Sequence, residues 1–418
     1  MSTARTYLDY NASAPLREEA RVAVIDALDV VGNPSSVHGE GRDALRLIQD
    51  ARAKVASYLG VGAREIVFTS GATESNNWVI RAPWDGVVLS AVEHDSVLEP
   101  AAQASCASYQ IGVDQNGLID LGALDSKLAS LLERVDQAET RDSRSGGGRH
   151  DTASGDERSG RDGRVLVSVQ AVNGETGVVQ PLSDVRRILS AYRGALLHVD
   201  GVQLRACHRG LLEDARPDFV SLSAHKIGGP KGVGALFVRS GLSLAPMMLG
   251  GGQENRRRSG TQNVPGIAGF GGAAACAASE HEAEQVGVLR SLRDDIERGV
   301  KEITPGSYIV GSGSDRVCNT ACICVPGVRA ETLVMALDLA GVAISAGSAC
   351  SSGKVSTSHV LRAMGLSRED AGSAVRVSLG WSSSKEDVSC FLNAWRTVMA
   401  RVVSKRPEVP SPVRRQMA

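Results

Sequence analysis

The chain has 418 residues, of which 42% are hydrophobic and 4% aromatic, and a formal net charge of -1; that is length enough for two domains and an ordinary globular composition. So balanced a charge removes the electrostatic case for nucleic acid or an anionic membrane as partner, and so few aromatics remove the base-stacking case. No apolar run reaches the roughly 20 residues that cross a bilayer, and MSTARTYLDYNASAP lacks the basic start and apolar core of a signal peptide, so a cytoplasmic location is expected.

From the amino terminus, the first helical pattern is RDALRLIQDARAKVASYL (42–59), apolar at three-to-four spacing. EIVFTS then reads as a strand running into SGATES (70–75) at the start of a helix. Small residues there let backbone N–H groups and Thr73 reach an anion, which the positive end of the helix favours; the simpler reading is a helix cap. GVVLSAV is the next strand, and AVEHDS delivers His94 at its end. An imidazole with an intrinsic pKa of about 6.5 suits proton transfer, although a lone histidine is often structural.

Residues 133–164 break the order with Gly, Ser and charge. A segment with so little to bury is expected to be a disordered surface insertion, with a docking loop as the alternative and His150 solvated. Strand VLVSVQAV, helix LSDVRRILSAYR (182–193) and strand LLHVDG follow. Asp200 ends that last strand and needs a partner, either a protonated ring nitrogen or an arginine. DFVSLSA runs directly into HKIGGPKG, placing Lys226 where strand ends face a ligand crevice. Only eight of the 46 basic residues are lysines, so a lysine here points to an amine that can lose its proton and form a Schiff base. With VGALFV the alternation predicts a doubly wound, mostly parallel sheet covered on both faces.

Beyond about residue 265 the texture changes to a long helix (AACAASEHEAEQVGVLRSLRDDIERGVKEI), strands TACICVP, VAISAG and AVRVSLG, and helices near 330–340, 357–364 and 385–403. Residues 15–264 are therefore read as the larger unit, and residues 1–14 with 265–418 as a smaller α+β one. Cys318, Cys322 and Cys324 lack a second Cys or His pair at zinc spacing and read as small buried hydrophobes, so no metal is expected. ISAGSACSSGKVSTSHV (344–360) has the composition of a mobile loop, and its centre is Cys350, a candidate nucleophile.

Phosphate cradle, acidic partner, proton-transferring imidazole and amine together describe a pyridoxal 5′-phosphate site. The motifs YLDYNASAP, FTSGATESNN, VEHDSVLEP, NGETGVVQP, HVDGVQ, SAHKIGGPKGVGALFVR, GGGQENRRRSGTQN, SAGSACSSG and VRVSLG, in that order, resemble the cysteine desulfurases. These belong to the class V aminotransferase group of fold-type I pyridoxal-phosphate enzymes. The resemblance implies a seven-stranded sheet and a homodimer that takes L-cysteine, leaves L-alanine, and carries a persulfide on Cys350 to a sulfur-acceptor protein. That acceptor is an iron–sulfur scaffold or a thio-modification enzyme.

By the same resemblance, Lys226 is the Schiff-base lysine, Asp200 holds the pyridine nitrogen, Gln203 approaches the phenolic oxygen and His94 stacks on the ring. Ala72, Thr73, Ser223 and His225 match the phosphate binders, Thr261 matches a threonine that reaches the other subunit's phosphate, and Arg376 and Asn11 match substrate binders. Two positions depart from the pattern: Asn173 is followed by Gly174, where many relatives have a second asparagine, and Trp381 replaces an arginine frequent after SLG. The competing readings are another class V reaction, such as selenocysteine lyase or aminotransferase, and a non-catalytic scaffold. Intact Lys226, Asp200, His94 and Cys350 argue against the scaffold.

Overall fold

The computed structural model describes residues 5–144, 165–205, 208–347 and 357–403. Along the chain it builds β1 (Thr6–Tyr7), α1 (Glu18–Leu28), α2 (Gly39–Leu59), β2 (Ile66–Thr69), α3 (Ala72–Ile80), β3 (Gly86–Ser90), α4 (Asp95–Ala102) and β4 (Ala107–Ile111). Next come α5 (Leu121–Arg144), β5 (Val165–Ser168), α6 (Leu182–Leu189), β6 (Ala195–Asp200), α7 (Arg209–Ala215), β7 (Phe219–Ser223) and β8 (Gly234–Val238). The remainder is α8 (Val264–Ala277), α9 (Glu280–Ile303), β9 (Tyr308–Ile309), β10 (Thr320–Cys324), α10 (Ala330–Leu339), β11 (Val342–Ala343), β12 (Ser345–Ala346), α11 (His359–Ala363), α12 (Arg368–Ala371), β13 (Ala374–Ser378) and α13 (Lys385–Val403).

Seven strands form the central sheet in the order β2-β8-β7-β6-β5-β3-β4. Only β8 runs against its neighbours, β2 and β7, so the other six point the same way and their carboxyl ends share one edge. Every residue of β2, β3, β5, β6, β7 and β8 is buried, as expected of a sheet with helices on both faces. The edge strand β4, ASYQI, is mostly exposed; its polar side chains hid it from the apolar pattern.

Three sequence expectations need correction. The stretch expected to lose structure at 133 remains helical, since α5 continues through Arg144; residues 145–164, with His150, lie outside the described residues. The long helix expected from Ala274 is two helices, α8 and α9, separated at Ala278–Ser279. And α8 packs on α1 and α2, its Phe270, Ala274 and Ala277 lying in the core of the central sheet, so the first core extends past the expected boundary at 264. The reason is close approach: a Cβ at Gly271 would stand 2.6 Å from the Cα of Ala51, so the glycines that weaken α8 as an isolated helix let it lie against α2.

A second core gathers β10, β13, β12 and β9 with α9, α10 and α13. Leu8 joins it from the amino-terminal segment, where β1 pairs with β11. Its largest buried side chain is Trp395, whose indole N–H donates to Thr304 Oγ1 at 3.0 Å. Cys318, Cys322 and Cys324 are buried.

Candidate active site

The shared edge of carboxyl ends creates the site. β2 delivers Ser70 to Thr73, β3 delivers His94, β5 leads to Asn173–Glu175, β6 ends on Asp200, and β7 leads to Ser223, His225 and Lys226. These groups line a cavity of about 650 Å³, within the range of small-molecule and cofactor sites. Asn11 comes in from the amino-terminal segment and Arg376 from β13. Of the twelve residues expected to form the site, ten line this cavity. Thr261 is exposed and does not line it, and Cys350 lies outside the described residues.

At one end is the entry to α3. Its N-cap is Gly71, and no side chain caps the helix, which sets aside the reading of Thr73 as a cap. The first-turn N–H groups of α3 therefore have no side-chain acceptor, as an anion site requires. The turn is tight: a Cβ at Gly234 of β8 would fall 2.6 Å from the Cα of Gly71. His225 stands nearby with Nδ1 3.3 Å from Ser13 Oγ. Burial, then the charges of Lys226 and Lys231, lower its pKa to about 4.

At the other end a chain of polar groups holds Asp200. Asn76 Nδ2 donates to Asp200 Oδ2 and to Ser96 Oγ, both at 2.9 Å, and Val202 N donates to Asp200 Oδ1 at 3.0 Å. Ser96 Oγ also meets His94 Nδ1 at 2.9 Å, and Ser96 N donates to that nitrogen at 3.0 Å, fixing the imidazole. The partners of Asp200 are thus an amide and a main-chain N–H, where an arginine had been the alternative. Asn76 and Ser96 were not legible as site residues, since each is a common polar residue on a helix.

Lys226 Nζ donates to the main-chain oxygens of Asn11 at 2.6 Å and Ala12 at 3.1 Å. Gln203 Nε2 donates to the same Asn11 oxygen at 3.1 Å. A Cβ at Gly174 would come within 3.3 Å of that Nε2, so the departure at 174 leaves Gln203 its room. Asn173 Oδ1 accepts from Glu175 N, Thr176 N and Thr176 Oγ1; it holds a turn. Asn11 spends its side chain on Gly174 O, Thr320 Oγ1 and Asn319 Nδ2, so it braces the wall.

Arg376 Nη2 pairs with Asp9 Oδ1 at 2.9 Å and Nη1 donates to Gly174 O at 3.0 Å, while Nε is buried without a partner. A strand ion pair is therefore present in a guanidinium that also lines the cavity. Trp381 does not line the cavity; the Arg17 guanidinium lies 3.8 Å from its ring centre and Tyr10 packs edge-on.

Two carboxyl groups in the wall were missed. Glu93 is fully buried, and burial, with the charge of Asp200 adding to it against a hydrogen bond from Gln170 N, pushes its pKa well up. Glu175 is raised to about 7, by burial first and against a hydrogen bond from Ser358 Oγ at 2.6 Å. Both sit beside motif residues, His94 and Asn173, and only burial distinguishes them from surface acids.

Residues 6–136 and 148–391 match the family described as Aminotransferase class-V. The sequence is 37% identical over 412 residues to cysteine desulfurase IscS 1 of Archaeoglobus fulgidus, covering 96% of this chain and 98% of that protein. It is 35% identical to cysteine desulfurase IscS of Dictyoglomus turgidum, over 96% and 94%. Among solved structures, a NifS-like protein from Rickettsia africae superposes with a TM-score of 0.80 at 32% identity, over 95% of this chain and 99% of that one. SspA in complex with cysteine superposes with a TM-score of 0.69 at 28% identity, over 90% and 98%.

Proposed function

This chain belongs to the class-V aminotransferase family, and from that membership and its wall of matched residues we propose that it is a pyridoxal-phosphate-dependent cysteine desulfurase. The observation that carries the reading is the convergence of Lys226, Asp200, His94 and the uncapped entry of α3 on one cavity. The donor set fits the cofactor: N–H groups, Ser223 and neutral His225 for a phosphate, Asp200 for a ring nitrogen, Gln203 for the phenolic oxygen and an amine for the aldehyde. When bound, pyridoxal phosphate supplies that aldehyde and an electron sink for the pair left at the substrate's α-carbon.

The residues of the chain do the rest. Asn76 and Val202 N keep the Asp200 carboxylate aligned, so it can hold a proton-bearing nitrogen as its ion partner. Lys226, released when substrate takes its place, is the base for the α-proton, and His94, fixed through Nδ1, moves protons on the ring side. Arg376 offers a guanidinium to the substrate carboxylate. Cys350 is the nucleophile: its sulfur bonds to the substrate's sulfur, the C–S bond breaks with its electron pair staying on carbon, and that carbon takes up a proton to give alanine.

The reading includes a homodimer. Ile25, Leu28 and Val31 of the α1 segment are 54%, 67% and 93% exposed, and Leu249, just before the loop that carries Thr261, is 88% exposed. A second copy of this chain is the proposed cover for these exposed apolar side chains, bringing Thr261 to the other site. Among the described residues no helix is long and apolar enough to cross a membrane, and a cytoplasmic site of action is proposed. The sulfur acceptor is proposed to be a protein thiol of an iron–sulfur scaffold or a thio-modification enzyme. The test is incubation of the purified protein with pyridoxal phosphate, L-cysteine and dithiothreitol, the thiol that reduces the persulfide and frees its outer sulfur as sulfide. Sulfide and alanine in equal amounts support the reading, and pyruvate or no product refutes it.

A further inference from the structure

The proposed phosphate cradle contains an anion of its own. Glu74, in the first turn of α3, lines the cavity with its side chain 12% exposed. Burial opposes its ionisation, yet hydrogen bonds from Arg258 and Ser70 outweigh it and hold the carboxyl below its usual range. A carboxylate competes for the same helix terminus as a phosphate and repels it.

Arg258 answers that charge. Its Nε donates to Glu74 Oε1 at 2.9 Å and its Nη2 to Oε2 at 3.3 Å. The same Oε2 accepts from Ser70 N at 3.0 Å and from the Ser70 hydroxyl, so the pair also shapes the turn itself.

Arg258 arrives on an unusual loop. Glu254, Asn255 and Arg256 have φ of 48°, 58° and 64°, a left-handed run without a glycine, which persists only where surroundings impose it. The imposing group is the buried Glu254 carboxylate. It accepts from Arg52 Nη1 at 2.7 Å and Nη2 at 2.8 Å, from Phe68 N at 3.0 Å and from Gln262 Nε2 at 3.2 Å. Phe68 is in β2, the strand that ends at the cradle, so the loop is registered on the element that carries Ser70 to Thr73.

We propose that Arg258 is a positioning residue for cofactor binding: its forked pair with Glu74 neutralises the cradle's own carboxylate so that the α3 entry accepts a phosphate. The inference rests on the proposed reading of Ser70 to Thr73 as the phosphate site. It extends that reading to two residues that would not touch the phosphate as ring or phosphate ligands.

The experiment is a double-mutant cycle on full-length protein, reading equilibrium affinity by the absorbance of the bound cofactor, for pyridoxal phosphate and for pyridoxal, which lacks the phosphate. Arg258→Ala is expected to weaken pyridoxal phosphate about tenfold or more by unmasking a partly buried charge, with pyridoxal unchanged. Adding Glu74→Gln is expected to restore affinity to within about threefold, because the repelling charge is then gone. Glu74→Gln alone, which leaves the loop's arginine in place, is expected to bind pyridoxal phosphate at least as tightly as the parent. If Arg258→Ala does not fold, this single variant decides: weakened pyridoxal phosphate binding overturns the proposal. Equal loss for both ligands, or no rescue in the double variant, overturns it too. A parent protein that binds neither ligand would instead refute the cofactor reading, a result distinguishable from these.

Discussion

Asn76 Nδ2 donates to Asp200 Oδ2 at 2.9 Å, joining the first helix of the cradle to the end of β6. The acid proposed to hold the cofactor's ring nitrogen is therefore aligned by an amide on the element proposed to hold its phosphate. Asn76→Ala removes a buried donor from Asp200 and is expected to weaken cofactor binding about tenfold. Asn76→Asp sets two carboxyl groups against each other and is expected to weaken it further at pH 8 than at pH 6, where one can be protonated. Spectroscopic titration with pyridoxal phosphate at the two pH values checks both.

Lys226 and Cys350 should separate cofactor attachment from sulfur chemistry. In Lys226→Ala, borohydride treatment is expected to fix no cofactor to the protein, since the amine is gone. Cys350→Ser is expected to bind cofactor with unchanged absorbance and to release no sulfide from L-cysteine. Sulfide release by Cys350→Ser at the parent rate would refute the persulfide route.

Arg376, whose Nη1 and Nη2 are held by Gly174 O and Asp9, is the group proposed to meet the substrate carboxylate. A lysine cannot reproduce two coplanar contacts. Arg376→Lys is accordingly expected to raise KM for L-cysteine about tenfold or more with a smaller effect on kcat, measured by steady-state sulfide release.

Glu175 makes stability depend on pH in a definite direction. Its folded pKa, about 7, lies above the ordinary 4.5, so the folded protein holds a proton that the unfolded chain has lost between those values. That contribution is fully present below about pH 4.5 and is lost as pH rises through about 7. Glu175→Gln is expected to melt about 2 °C or more above the parent at pH 8, with the difference shrinking toward pH 5. The neutral imidazoles of His198, His208 and His225, each lowered to about 4 chiefly by burial, act in the opposite sense. Their contribution is present above about 6.5 and lost as pH falls toward 4. Melting curves from pH 4 to 8 resolve the two limbs.

The apolar face around Leu28 and Val31 gives a test of assembly. Leu28→Glu with Val31→Glu places charge where the second copy is proposed to sit. It is expected to convert dimer to monomer in sedimentation and to lower cofactor occupancy, because Thr261 would no longer reach a neighbouring site. A dimer that survives unchanged would remove this face from the interface.

Much of the site is legible in the amino-acid sequence. Period and apolar content determined the strands of the central sheet, because a strand buried on both faces tolerates little but apolar residues along its length. Since each such strand ends in an abrupt change to polar residues, Asp200, His94 and Lys226 stood out at strand ends. The polar edge strand β4 and the Gly-rich α8 did not, because edge position and helix-to-helix contact set them rather than local pattern.

Tertiary structure alone decided which polar residues cooperate. Nothing in the sequence joins Asn76 to Asp200, Arg258 to Glu74 or Glu254 to Arg52, pairs separated by 124, 184 and 202 positions. Nor does it reveal that Glu93 and Glu175 are buried and proton-hungry. Hydrogen bonds and ionisation depend on distance and on exclusion of water, and both are set only when strands from across the chain are laid side by side.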